Sequence, residues 1–527
     1  LVDCIDTEQT VNTSNFVSIP AAMFEDQEIL VFEDERLTYG QLWTHIQRLA
    51  NAFRALGIGR GDCVAVLQTN SNHYVQAYYA AAAVGAVFVP LNYRAKLPEL
   101  EHMINTAKVK ALLVGDRYVD TVTQLRARLP TVRTYVAMDT PRHGMTPLED
   151  LLRQASGELE VVEGDDDDVT ILMYTSGTTA LPKAVMLTYN DFTAYVCNNV
   201  ELADGTPRGA ALLCVPLYHI AGATNIMTSM FTGRRLVLLR QFDAQSWLET
   251  VERERITHAF LVPTMVKQLV DHPAFARYDL SSLQNLSYGG AAMPFPVIRR
   301  AIEMFPKTVG FVNAFGQTET TSTLTVLGPD DHRLDGTPQE VECRLRRLKS
   351  IGRPLPDVEL KVVDDDGHEL RRGQVGELWV STPRVMKGYG TAEGTTSPLR
   401  DGWLPTRDMG WIDEDGYIFL AGRKDDMIIR GGENIAPAEV EAVLFSHPGI
   451  DEAAVIGVPD VEWGQRVAAF IVPRPGTSLT EAEVVAFCRQ RLASFKKPEI
   501  VRFVEALPKN VMGKILRNDL RAQLGAG

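Results

Sequence analysis

The sequence predicts an α/β protein of several packed subdomains, with a β-rich section after Asp357 and a small α+β unit at its C-terminal end. Three observations carry this. At 527 residues the chain exceeds what a single hydrophobic core organises. Short apolar runs alternate with helical periodicities as far as His258–Val262, the pattern of layered α/β structure. Beyond Asp357 the texture changes to shorter strands punctuated by Asp/Gly turns, as in hairpins.

Taken in order, Gln41–Leu56 places Leu42, Ile46, Leu49, Ala50 and Phe53 at amphipathic-helix spacing. Cys63–Leu67 and Ala86–Pro90 read as buried strands flanking an alanine-rich helix over Val75–Val84. The strands Lys110–Val114, Val169–Met173, Ala210–Val215 and His258–Val262 continue the alternation. After the change of texture, Glu359–Val363 and Glu377–Val380 are strands, with a turn at Asp365-Asp-Gly367, and Tyr417–Asp425 closes the section. The last hundred residues predict a helix over 437–446, strands over 452–457 and 467–472, and a helix over 480–493. No internal repeat or low-complexity tract interrupts the chain.

Composition excludes several classes. Hydrophobic residues at 45% and charged residues at 23% are ordinary for a globular protein. A net charge of −14 argues against non-specific nucleic-acid binding and against a polybasic membrane anchor. Six cysteines (4, 63, 197, 214, 343 and 488) are scattered without metal-ligand spacing, as in a reduced, cytoplasmic protein. No window approaches the ~20 apolar residues of a membrane span. No basic-then-apolar stretch opens the chain, so secretion is not expected. Nor is a carrier or reductase extension, since the chain runs only about ten residues past Arg517.

The chemistry starts at Tyr174-Thr-Ser-Gly-Thr-Thr-Ala-Leu-Pro-Lys183. An apolar strand enters a turn dense in hydroxyls and bare backbone N–H groups, a nest for phosphate oxygens, and Lys183 adds a positive charge. It is not a Walker-type loop, because no Gly-Lys-Ser/Thr closes it; Gly513-Lys514 is followed by Ile515. Asp165-Asp-Asp-Asp168 just upstream is expected to be a solvated linker, since four carboxylates would repel a polyphosphate.

This string resembles the phosphate loop of the adenylate-forming (ANL) superfamily, which includes acyl- and aryl-CoA synthetases, luciferases and the adenylation domains of peptide synthetases. Further motifs recur in the family's order from about residue 30 to Arg517. The resemblance implies the ANL fold. A large N-terminal domain over 1–424 would hold two α/β layered subdomains and a β-rich one. A small mobile domain over 425–527 would turn about a hinge at Asp425. It also implies an ATP-dependent carboxylic acid–CoA ligase that forms acyl-AMP and pyrophosphate, then acyl-CoA and AMP.

Site residues follow from the resemblance. Thr175, Ser176, Gly177, Thr178, Thr179 and Lys183 would hold ATP phosphates. Asn313-Ala-Phe-Gly-Gln-Thr-Glu319 resembles the aromatic-Gly-X-Thr-Glu motif: Thr318 would contact the α-phosphate and Glu319 would hold Mg²⁺ with the Thr175 hydroxyl. Gly289, Gly290 and Ala291 would run past adenine, as would Asn313, Ala314, Phe315 and Gly316. Asp408 would bind the ribose, with Arg423 as partner. Lys514, in Leu507-Pro-Lys-Asn-Val-Met-Gly-Lys514, would reach the α-phosphate. His219 would lie near the acyl carboxylate, and His219, Ala223, Tyr288, Gly289, Phe315 and Gly316 would shape the acyl pocket. Gly431, Gly432 and Glu433 would line the CoA tunnel. The implied partners are ATP, CoA, Mg²⁺ and a small carboxylic acid, with no nucleic acid or integral membrane segment and with a homodimer left open.

The sequence departs from the family pattern in places. Ala180 and Ala184 replace glycines of the phosphate loop; an alanine forced to φ > 0 costs about 1 kcal/mol or more. Ala180→Gly should therefore speed adenylation or change it little. Phe315 stands where tyrosine is common, and Arg407 replaces the glycine of Trp-X-X-Thr-Gly-Asp. Amino-acid-activating relatives carry an aspartate near Tyr218-His219; its absence would leave an α-ammonium unpaired. A medium-chain, cyclic or aromatic monocarboxylate is expected instead. The alternatives are an acyl-AMP ligase serving a carrier protein or another acceptor, and a non-catalytic nucleotide-binding relative.

Overall fold

A computed structural model describes residues 11–175, 181–391, 394–510 and 513–525, without the side chain of Thr391. Among the described residues, two nine-stranded sheets dominate. The first runs from edge to edge through Arg353–Pro354, Ser322–Leu327, Gly310–Gln317, Asn285–Gly289, His258–Leu261, Ala210–Leu213, Arg235–Leu238, Glu28–Phe32 and Glu35–Thr38. The second runs through Gly394–Thr396, Gly388–Thr391, Lys183–Thr188, Val169–Thr175, Val87–Pro90, Cys63–Leu67, Ala111–Val114, Thr134–Ala137 and Thr146–Pro147.

The central strands of both sheets are parallel. Parallel strands are covered on both faces, so they read as continuous apolar runs. Val64–Leu67 and Ala111–Val114 accordingly expose nothing. Among the antiparallel pairs toward the edges, two join a central strand to its sequence neighbour: Val169–Thr175 with Lys183–Thr188, and Gly310–Gln317 with Ser322–Leu327. Both reversals fall on predicted site loops.

The first predicted helix forms over Tyr39–Ala55. Thr38 opens it with a capping box: its hydroxyl accepts from the Gln41 N–H, and the Gln41 side chain accepts from the Thr38 N–H. Its buried face includes the predicted stripe. The alanine-rich helix Asn72–Ala83 is buried almost all round, which small side chains permit.

The β-rich section is a four-stranded antiparallel sheet of Glu359–Val363, Gly376–Ser381, Leu404–Ile412 and Ile418–Arg423. The C-terminal strands Ile450–Asp460 and Gly464–Pro473 are longer than predicted, joined by Ile500–Phe503, while the helix Glu481–Arg489 is shorter. Two hydrophobic clusters, one around Val440, Val455 and Ile471 and one around Ile456, Phe470 and Leu520, consist only of residues from Ile428 onward. In the acidic run before the phosphate loop, Asp165–Asp167 are exposed and Asp168 is partly buried, with Arg60 pairing to Asp165 and Asp168. Among the described residues, no helix is long and apolar enough to cross a membrane.

Candidate active site

Strand order places the two ends of the first reversal, Thr175 and Lys183, and the second reversal loop on one cleft between the large sheets and the C-terminal unit. Thr175 and Lys183 are cross-strand partners at the mouth of the first loop. Ser176, Gly177, Thr178, Thr179 and Ala180 lie outside the described residues. Ala184 sits in regular strand with negative φ, so its methyl carries no backbone penalty.

The second loop is the turn Thr318–Thr320, which presents Thr318 and Glu319 to the cleft. The Tyr389 hydroxyl donates to Glu319 Oε1 at 2.9 Å, and Lys183 Nζ lies 5.4 Å from the centre of the same ring. Burial and the Glu319 charge both raise the Tyr389 phenol, which therefore stays protonated and donates. Behind the turn, Arg384 is fully buried. It pairs with Asp357 and donates to the Thr320 carbonyl at 3.0 Å, while the Thr321 hydroxyl donates to the Arg384 carbonyl at 3.0 Å. These contacts hold Thr321 and Ser322 at φ 48° and 86°, a conformation costly for residues with a Cβ.

Asp408 and Arg423 are cross-strand partners in the β-rich sheet, joined from Nη1 to Oδ1 at 3.0 Å. Gln317 Nε2 donates to the other carboxylate oxygen at 2.7 Å. Burial raises the Asp408 carboxyl, against the pull of Arg423, Gln317 and Lys514. Lys514 thus acts on Asp408 from the C-terminal unit. Its own ammonium is lowered first by burial and then by Arg423, partly offset by Asp408 and Asp426. Accessible within the cleft yet ringed by protein, Lys514 is a cation suited to a bound anion.

Gly289, Gly290, Ala291, Asn313, Ala314, Phe315, Gly316 and His219 also line the cleft. The glycines answer first to packing. A Cβ on Gly289 would lie 2.1 Å from the Ala314 carbonyl oxygen, and one on Gly316 would lie 1.6 Å from that of Ser322. Their missing side chains let strands close up, rather than simply making room for a ring. His219 Nε2 is buried with no hydrogen-bond partner among the described residues, and burial lowers the imidazole to about 4, so it is neutral near pH 7.

Two expectations need correction. Tyr288 does not face the cleft: strand alternation turns it away from Gly289, and its hydroxyl bonds His332 Nε2 at 2.9 Å in the core. Ala223 is likewise packed into the core, while Ile220 and Ala221 of the same helix face the cleft. Gly431 and Gly432 have φ 58° and 86° and form the turn between Ile428–Arg430 and Glu433–Ile435. Both central residues of such a tight hairpin turn need positive φ. Gly431, Gly432 and Glu433 are exposed and stand off the cleft, while Lys514 occupies it.

Gln317, Tyr389 and Arg384 had no assigned role in the sequence. Gln317 lies inside a recognised motif, whereas Tyr389 and Arg384 approach Glu319 only through sheet pairing and burial.

The cleft thus gathers the Asp408–Arg423 pair, Thr175 and Lys183, the acidic turn at Glu319 and Lys514 from the C-terminal unit. The profile of the AMP-binding enzyme family matches residues 18–390, and that of the AMP-binding enzyme C-terminal domain matches residues 439–514. The chain belongs to the AMP-binding enzyme family. A feruloyl-CoA synthase of an Amycolatopsis species is 36% identical over 498 residues, covering 93% of this chain and 94% of that protein. The structure of an anthranilate CoA ligase in complex with anthranoyl-AMP superposes with a TM-score of 0.86 at 26% identity, covering 98% of this chain and 97% of that one. An amide bond synthetase of Marinactinospora thermotolerans gives 0.84 at 30% identity, covering 97% and 99%.

Proposed function

We propose that this AMP-forming acid–CoA ligase activates an aromatic or long apolar monocarboxylate. The observation that carries the reading is Lys514 brought from the C-terminal unit to the Asp408–Arg423 pair, in the cleft that also holds Thr175, Lys183 and Glu319. In the first half-reaction the acid's carboxylate oxygen attacks the ATP α-phosphorus and pyrophosphate leaves. Charge accumulates on the transferring phosphoryl group, so catalysis rests on positioned cations. Lys183 and Lys514 supply two, and Asp408 with Gln317 and Arg423 fixes the ribose. In the second half-reaction the CoA thiol attacks the acyl carbonyl and AMP leaves.

The donors fit a hard cation: the Glu319 carboxylate and the Thr175 hydroxyl both line the cleft and would offer it oxygen ligands. Mg²⁺ held there would offset the negative charge of the phosphates. The aromatic preference rests on the apolar wall beside His219. The Tyr218 and His219 rings lie 4.5 Å apart, and the Phe260 ring comes within 3.7 Å of the Cβ position of Gly289. The feruloyl- and anthranilate-activating relatives favour the same substrate class.

The test is a mass-spectrometric end-point assay with ATP, Mg²⁺, CoA and acids from acetate through fatty, cyclic and aryl acids. Aryl-CoA with equimolar AMP is expected. Turnover confined to short aliphatic acids would remove the aromatic reading. The likeness to an amide bond synthetase supports a second reading, in which an amine takes the acyl group; adenylate without thioester would favour it.

A further inference from the structure

Charges on either side of Asp425 belong to different bodies. Lys424 is held on the β-rich sheet section by Glu377 at 3.2 Å and Asp365 at 2.9 Å. Asp426 is held by the C-terminal helix, through Arg521 at 3.0 Å and Arg517 at 3.7 Å. Asp425 itself turns toward the large domain: Arg407 Nε donates to Asp425 Oδ2 at 2.8 Å, and the second guanidinium nitrogen grips Oδ1. Arg407 is the main cause of the low pKa of that carboxyl.

The backbone at Arg407 is unusual. It has φ 62°, a conformation that glycine adopts freely and arginine does not, and its N–H donates to Glu377 at 3.2 Å. Arginine therefore sits where a strain-free residue would serve the strand, and what its side chain gains is the two-point grip on Asp425. A planar guanidinium matches a carboxylate in this way, and a lysine does not.

We propose that Arg407 is a positioning residue that holds Asp425 in the adenylating arrangement and so biases the enzyme toward acyl-AMP formation over thioester formation. This rests on the reading of Asp425 as the hinge. Turning the small domain about the Asp425 N–Cα bond would swing the carboxylate off Arg407. The pair is about half-exposed on the arginine side, so its bias is modest and screened by salt.

The test places spin labels at Lys267→Cys and Asp451→Cys in the full chain, with exposed Cys197 replaced by serine. These two native side chains meet at 3.3 Å across the cleft in the present arrangement. Pulsed EPR should show a short-distance population that falls about two- to fivefold relative to the long-distance one in Arg407→Gly. Asp425→Asn should act alike, Arg407→Lys should lie between, and about 1 M salt should bring the wild type toward Arg407→Gly. With ferulate and anthranilate as acid probes, rapid quench should show adenylation slowed by the same factor relative to thioester formation. The melting temperature of Arg407→Gly should hold or rise, since strain is relieved. Two distances that Arg407→Gly leaves unchanged would overturn the proposal while keeping the hinge. A single short distance under all conditions, with ATP or CoA present, would remove the hinge reading and the proposal with it.

Discussion

The cleft has two walls built on different physical terms. On the large-domain side, Asp408, Arg423, Gln317, Glu319 and Tyr389 are fixed by sheet register and burial. On the other side, Lys514 rides on a short loop of a unit that keeps its own hydrophobic cores. That loop is closed by the Asn510 side chain, which accepts from the Lys514 N–H at 2.9 Å. Contacts across the cleft include the polar Lys267–Asp451 pair. One wall rests on the sheets of the large domain, and the other on a unit with separate cores. On the proposed hinge at Asp425, a cation carried by that unit would act in one step and be absent from the next.

The largest expected effect comes from removing the delivered cation. Lys514→Ala should lower acyl-adenylate formation by about 10²- to 10³-fold, with thioester formation from preformed adenylate changed little. An equal loss in both half-reactions, measured by rapid quench, would break the contrast between the walls. Asp408→Asn tests the fixed wall. Losing the charge opposite Arg423 should raise the ATP KM by about 10- to 100-fold and weaken AMP binding in both steps; an effect limited to adenylation would contradict a wall that persists throughout.

Stability against pH probes the large domain. Burial lowers His219, His258 and His332 to about 4. The unfolded chain takes up their protons near pH 6.5, so stability is full above that value and falls as pH drops toward 4. Each contributes about 1.4 kcal/mol per pH unit in that window. Asp191, raised to about 7 by burial, opposes them by binding a proton in the folded state first. His332 donates from Nδ1 to the Gly328 carbonyl at 2.7 Å and accepts from Tyr288, an arrangement that requires the neutral ring. His332→Gln should flatten the acid limb by about one proton, as read from denaturant midpoints across pH 4.5–7. The smallest effect is expected from Tyr389→Phe, which frees Glu319 of one hydrogen bond and should slow adenylation by about 3- to 10-fold. No change in the Mg²⁺ dependence of that variant would remove Tyr389 from the positioning of Glu319.

Much of this was legible in the residues. The buried stripe of Tyr39–Ala55, the apolar parallel strands and the β-rich texture after Asp357 follow from periodicity and turn chemistry, which are local. The motif residues could be named because the phosphate loop, the acidic turn and the terminal lysine are short strings in a fixed order. Tyr288 and Ala223 were misplaced because a name next to a motif does not say which face of a strand or helix it occupies. Gly289 and Gly316 were recognised, but only the register with Ala314 and Ser322 shows that their missing side chains first serve neighbouring backbone.

By itself the sequence determined the classes of element, their order and the chemistry available at each site string, because propensity, patterning and residue type act over a few neighbours. Only the tertiary structure decided that Tyr389 and Arg384 flank Glu319, that Gln317 shares Asp408 with Arg423, and that Arg407 reaches Asp425. Those pairings join residues from 15 to 91 positions apart, and which side chains meet is set by sheet order, burial and the docking of one unit on another.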